Sequence, residues 1–240
     1  MKSLKNDMLL SVLSVLFVAA LTGCGKGTAA DQTSVDTTPP ADQSTTEQQP
    51  KAIALFDQGM ENWESIAFGG EGEVSFKDGE LNLDMGFMTG ALYKGDAAKL
   101  FGESLENYEI TLDAKRVQGL DMFLGLTFPV GKDGHVSLVL GGWAGTVNGI
   151  SSLDGLNGSE NATTTYKEGG YESDKWYPVR IRVTSKKIEC WLEDKQIVDV
   201  DRADYSKYDT HGMVVDSKPF GLFTYETWGA YRDLKVRKLN

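Results

Sequence analysis

The stretch YPVRIRVTSKKIECWL, Tyr177–Leu192, decides the class of the fold. Val179, Ile181 and Val183 alternate with Arg180, Arg182 and Thr184. After Ser185-Lys186-Lys187 the alternation resumes in Ile188, Cys190 and Leu192. Successive side chains of a strand point to opposite faces, so a period of two describes a hairpin with one face in a core and the other in water. Cys190 falls on the inward set and reads as a small buried hydrophobe.

The same period extends in both directions. In Asn107–Val117, Tyr108, Ile110, Leu112 and Ala114 alternate with Glu109, Thr111, Asp113 and Lys115. Gln196–Asp201 returns after a tight Glu193-Asp194-Lys195 turn, and Tyr231–Leu239 closes the chain. Further strands are expected over Ala52–Phe56, Glu73–Phe76, Glu80–Met85 and Gly90–Tyr93, separated by Gly and Asp turn signals. Helical spacing is passable only near Ala97–Ser104. Many short strands, 27 glycines and no internal repeat imply an all-β, antiparallel two-sheet sandwich of jelly-roll type.

The amino-terminal end reads differently. Lys2 and Lys5 precede an almost unbroken apolar run, Met8–Leu21, which is followed by Leu21-Thr22-Gly23-Cys24. This is the layout of a secretory leader, and the run is shorter than the roughly 20 residues of a membrane-spanning helix. The ending resembles the bacterial lipobox, which implies cleavage after residue 23 and acylation of Cys24. Residues 24–50 carry Thr, Asp, Gln, Ser, Ala and Pro with Val35 as the only large aliphatic side chain, too little apolar surface to offset ordering. They are expected to form a disordered tether with a reach of roughly 25 to 30 Å. Residues 51–240 are left for one domain.

The chain has 24 Lys and Arg against 35 Asp and Glu; without Lys2, Lys5 and Asp7 the balance is 22 against 34, a net charge of −12. This acidity argues against nucleic acid as a partner and against docking on anionic lipid beyond the anchor. With Cys24 acylated, Cys190 has no partner for an intrachain disulfide. Phosphate-binding glycine loops, zinc-spaced Cys and His and a Gly-x-Ser-x-Gly elbow are all missing from the sequence, so no cofactor is expected.

Four stretches carry a resemblance: Leu55-Phe56-Asp57 with Trp63; Phe76-Lys77-Asp78-Gly79-Glu80-Leu81; Lys175-Trp176-Tyr177 through Ile181 to Trp191-Leu192-Glu193-Asp194; and Tyr231-Arg232-Asp233-Leu234-Lys235-Val236. In order and spacing they are similar to the 3-keto-disaccharide hydrolase domain family. That resemblance implies a concanavalin A-like jelly roll over nearly all of residues 52–240. The family's middle strands, one ending in arginine and one carrying Gly-Tyr-Glu, correspond here to Met122–Phe128 and Val136–Trp143, which hold neither the arginine nor the glutamate. The laminarinase-type Glu-x-Asp-x-x-Glu strand is also absent. Ordinary glycoside hydrolysis needs two carboxylates flanking the scissile bond. The resemblance therefore implies the fold more than the activity.

The candidate site follows from the strands around Gly119–Gly145. Leu120, Met122, Leu124, Leu126 and Phe128 read as one face, with Asp121, Phe123, Gly125 and Thr127 opposite; Val136, Leu138 and Leu140 are core, with Ser137, Val139, Gly141 and Trp143 opposite. Paired, these strands would offer Asp121, Phe123 and Trp143 as a platform on which the C–H faces of sugar rings stack. Alternatively, residues 144–171 cover Phe123 and Trp143 as a secondary core. Tyr225, Glu226 and Trp228 could line the same cleft. His135 and His211 lie near turn signals and read as solvated. Asp57 and Asp233, near the two ends of the domain, suit a calcium ion between terminal strands or are simply exposed turn acids. Two function classes survive: a lipid-anchored, extracytoplasmic glycan-binding protein, or a glycoside-cleaving enzyme using Asp121, His135 or Glu226.

Overall fold

A computed structural model describes residues 50–240; the expected leader over 1–23, Cys24, and all but the last residue of the expected tether over 24–50 lie outside the described residues. The strands are β1 (Ile53–Ala54), β2 (Trp63–Ser65), β3 (Val74–Lys77), β4 (Glu80–Leu83), β5 (Met88–Tyr93), β6 (Tyr108–Gly119), β7 (Leu124–Pro129), β8 (His135–Gly141), β9 (Val147–Ser151), β10 (Thr165–Tyr166), β11 (Trp176–Val183), β12 (Lys187–Leu192), β13 (Lys195–Asp201), β14 (Gly221–Tyr225) and β15 (Thr227–Lys238). One antiparallel sheet runs β13-β12-β11-β6-β15-β4-β3, with β1 also on β15; the other runs β10-β9-β8-β7-β14-β5-β2. The two sheets form the expected jelly-roll sandwich. One short helix, α1 (Ala97–Phe101), starts where the Asp96 carboxylate accepts from the Ala98 and Lys99 amides and stops at Gly102 with φ 90°.

The first sheet follows the period read from the sequence. Ile181 lies between Ile110 of β6 and Cys190 of β12, and all three are fully buried. Burial pushes the Cys190 thiol far up, so it is an apolar filler. The Asp78-Gly79 turn has φ 53° and 84°, the left-handed pair that closes a two-residue hairpin. The two ends of the domain meet: Ile53 pairs with Val236, the Leu55 amide donates to the Leu234 carbonyl, and the Trp63 indole donates to the Leu55 carbonyl at 3.3 Å.

On the outer face of this sheet Glu109 is buried among arginines: Arg237 at 2.7 Å, Arg182 at 3.1 Å and Arg180 at 3.4 Å. Burial alone would push the Glu109 carboxyl up. Hydrogen bonds from Arg237 and Arg182 outweigh it and hold the group below the ordinary carboxylate range.

The second sheet is largely buried on both faces. Leu124, Leu126, Phe128, Leu138, Leu140 and Leu222 face the main core, while Met88, Met122, Val139 and Phe223 form a separate cluster on the outside. An antiparallel sheet usually leaves one face to water. Here the outer face is the floor of a cleft.

Candidate functional site

The register of the second sheet sets the floor in cross-strand rows. Ser151, Ser137 and Thr127 stand side by side in one row. The next holds Gly149, Val139, Gly125, Phe223 and Gly90, and the third pairs Tyr225 with Met88. The floor therefore changes along the strands from hydroxyls to thioethers and aromatic rings. The glycines make this packing possible without leaving the sheet open: a Cβ at Gly125 would run into the Phe223 ring, and one at Gly90 into Phe68.

Two adjoining basins lie on this floor, of about 270 and 310 Å³, and share Met122, Val139, Trp143 and Tyr225. Ser152, Asn157 and His211 edge the basin of about 270 Å³, together with Met213 and Val214; Asp121 edges the other basin. The lip carrying Met213 and Val214 is the 3-10 segment Gly212–Ser217. It is pinned to the sheet by Ser217, whose hydroxyl lies 2.6 Å from that of Thr127 and donates to the Val214 carbonyl.

Trp143 is 45% exposed and stands on a left-handed turn after β8, with φ 71° at Gly141, 49° at Trp143, 65° at Ala144 and 89° at Gly145. Glycine adopts such angles freely, whereas Trp and Ala do so at a cost. Asp121 holds the turn: its Oδ2 accepts from the Ala144 amide at 2.9 Å and its Oδ1 from the Met122 amide at 2.8 Å. Its own amide donates to the Thr227 hydroxyl at 3.1 Å. Both carboxylate oxygens are thus used as backbone clamps, and Asp121 is the one carboxylate among the described residues lining the basins.

The expected site residues divide. Asp121, Trp143 and Tyr225 meet in the cleft. Phe123 does not: it is fully buried in the main core, against Tyr171 at 4.6 Å and Tyr177 at 6.1 Å. β7 starts at Leu124, so alternation does not extend back through 120–123; Met122 faces the cleft and Leu120 is 77% exposed, the reverse of the expected core set. Of the aromatic pair, Trp143 is open to the cleft, while Phe123 lies in the main core and not in a secondary one under residues 144–171.

Glu226 sits outside the lining, exposed at the β14–β15 turn with φ 46°. Trp228 belongs to β15 of the other sheet, its indole donating to Asn82 at 3.4 Å. Crossing that turn changes sheets, which a linear reading of Thr224–Trp228 does not show.

His135 is away from the basins, and burial, then Lys218, depresses its pKa. His211 is exposed, as read, and also lines the cleft. Its Nδ1 lies 3.2 Å from the Asp209 carbonyl and 3.3 Å from the Ser152 hydroxyl. A carbonyl only accepts, so Nδ1 carries the proton and Nε2 is the acceptor of the neutral ring. Ser152, Asn157, Met88, Met213 and Phe223 carried no motif that would have singled them out.

Asp233 pairs with Lys235 at 3.3 Å and Arg232 at 4.0 Å, and no group of three or more metal-ligating side chains occurs among the described residues.

Comparison with known proteins places the fold. A Crh5 transglycosylase in complex with NAG superposes with a TM-score of 0.51 at 9% identity, over 80% of this chain and 84% of that one. A native glycosidic hydrolase gives 0.50 at 11% identity, over 80% and 96%. The carbohydrate-binding module CBM66 of Bacillus subtilis gives 0.44 at 12% identity, over 74% and 96%. No curated protein matches the sequence. The family model for 3-keto-alpha-glucoside-1,2-lyase-like domains matches residues 51–237, so the chain belongs to the 3-keto-disaccharide hydrolase family.

Proposed function

We infer that this carbohydrate-related jelly-roll domain binds glycan in the cleft of its second sheet, as part of a bacterial protein held outside the cytoplasm by a lipid on Cys24. The observation that carries the reading is Trp143. An indole left 45% exposed on a strained turn, clamped by Asp121 and sharing both basins with Tyr225, has the makings of a stacking platform for a sugar ring.

Trp143→Ala should weaken binding about fivefold, the equivalent of about 1 kcal/mol of stacking, and leave the melting temperature within a few degrees of wild type. The measurement is calorimetric titration with hits from a glycan array, beside a thermal melt. A collapsed melt with unchanged binding would make the indole a packing element.

The anchor is tested separately. The full chain should partition into the detergent phase and incorporate labelled fatty acid, and Cys24→Ser should lose both. An unlabelled, aqueous wild-type protein would end the lipid reading.

A cleaving function is favoured by one feature, His211 at the cleft edge with Nε2 as the ring's acceptor. In a 3-keto sugar the C2–H bond is acidified by the neighbouring carbonyl. A base that takes this proton lets the C1–O electron pair leave with the aglycone oxygen, which then gains a proton. That route needs one base instead of the two-carboxylate pair. Release of the aglycone from a bound 3-keto glycoside would favour it; binding without release favours the binding protein.

A further inference from the structure

The floor of the cleft is unusual for a saccharide site in what it offers. Met88, Met122, Val139 and Phe223 form a continuous apolar cluster outside the main core, with Phe68, Val214 and Tyr225 packed against it. Sugar hydroxyls need carboxylate, amide or hydroxyl partners at most positions around the ring. Along the row of Val139 and Phe223 they would meet none; the Ser137 and Ser151 hydroxyls stand one row to the side. The apolar character continues onto the rim: Phe87, packed on Tyr225 at 5.2 Å, is 44% exposed, and Met213 on the lip is 52% exposed.

Size and chemistry narrow the occupant. A cavity of about 150 Å³ is enough for a benzene ring, and each of the two adjoining basins exceeds that, at about 270 and 310 Å³. The cleft therefore has room for two ring-sized groups in contact. One basin is bounded by the Trp143 indole, Asp121 and Tyr225. The other adds Met88, Met213, Val214 and Phe223, with Ser137, Ser151, Ser152, Asn157 and His211 along its polar side. Thioether sulfur is polarizable and makes favourable contacts with aromatic rings, and the flexible side chain adapts to a flat group of variable outline.

We propose that the ligand is an aryl glycoside, with the sugar ring on Trp143 and the aromatic aglycone on the Met88–Met122–Phe223 floor beneath the Met213–Val214 lip. The inference rests on the carbohydrate reading and specifies its substrate class. The lip is fixed in place by the Thr127–Ser217 hydroxyl pair, so the aglycone basin is formed before the ligand arrives.

The test is calorimetric titration of the full chain, prepared without glycoside detergents. Methyl and 4-nitrophenyl glycosides of glucose, galactose and N-acetylglucosamine, each in both anomers, are the probes, with free 4-nitrophenol as control. For a sugar that binds, the aryl glycoside should bind at least tenfold tighter than the methyl glycoside. The double variant Met213→Ser, Val214→Ser should erase most of that preference while changing methyl glycoside binding less than twofold. Both positions lie on the lip outside the main core, and a thermal melt checks that the fold is kept. Equal affinities for methyl and aryl forms would overturn the aryl proposal and leave the glycan reading standing. Free 4-nitrophenol binding as tightly as its glycosides would make the cleft a plain apolar site and overturn both. Failure of every probe to bind would also overturn both.

Discussion

Ile181→Asp should abolish the cooperative unfolding of the domain. The side chain is fully buried between Ile110 and Cys190, where no cation stands to pair a carboxylate. Burying an unpaired ionisable group costs several kcal/mol even when it neutralises itself, against a total stability of about 5 to 15 kcal/mol for a domain. The expected result is a chain without a sharp calorimetric transition and without near-ultraviolet dichroism. A transition unchanged from wild type would mean that the residue faces water and that the alternation has been assigned to the wrong face.

Phe123→Ala should lower the unfolding free energy by about 3 to 5 kcal/mol, through lost contacts and the cavity that remains. The ring packs on Tyr171 and Tyr177 and lies against Gly141, while the Phe123 carbonyl accepts from the Tyr231 hydroxyl at 2.6 Å. The denaturation midpoint should fall while the slope stays constant. A loss below about 1 kcal/mol would show that the ring is not a core element and return it to the candidate platform.

These two positions mark what the sequence reveals and what it conceals. Ile181 was legible because the first sheet has one wet face, so arginines and a threonine alternate with the aliphatic residues. In the second sheet both faces are covered, one by the main core and one by the cleft cluster, so alternation survives in Leu124, Leu126 and Phe128 and in Val136, Leu138 and Leu140 but the opposite set carries no charge to mark a wet face. Leu124–Pro129 is buried at every position, as is Val147–Ser151. Neither β9 nor β14 stands out in the sequence for this reason. Nothing in the sequence marks the point at which β7 begins, so alternation carried back from Leu124 puts Phe123 and Met122 each on the wrong side.

The site was legible where one residue carried the signal. Trp143 after a double glycine announces a special turn, and Asp121 was included as a sugar partner although its oxygens turn out to clamp that turn. His211 reaches the cleft from the far side of the chain through the pairing of β8 with the segment around Asp209, a contact between distant residues that no local pattern encodes.

The left-handed turn beneath Trp143 has an evolutionary consequence. Trp143 and Ala144 hold backbone angles that cost roughly 1 to 2 kcal/mol per non-glycine residue, and the rest of the fold carries that load whether or not ligand is present. A lineage selected for heat resistance alone would relax it by acquiring glycine at these positions. Retention of the indole on its awkward perch would therefore record selection for the surface it presents, against the drift toward a more stable and functionally emptier domain.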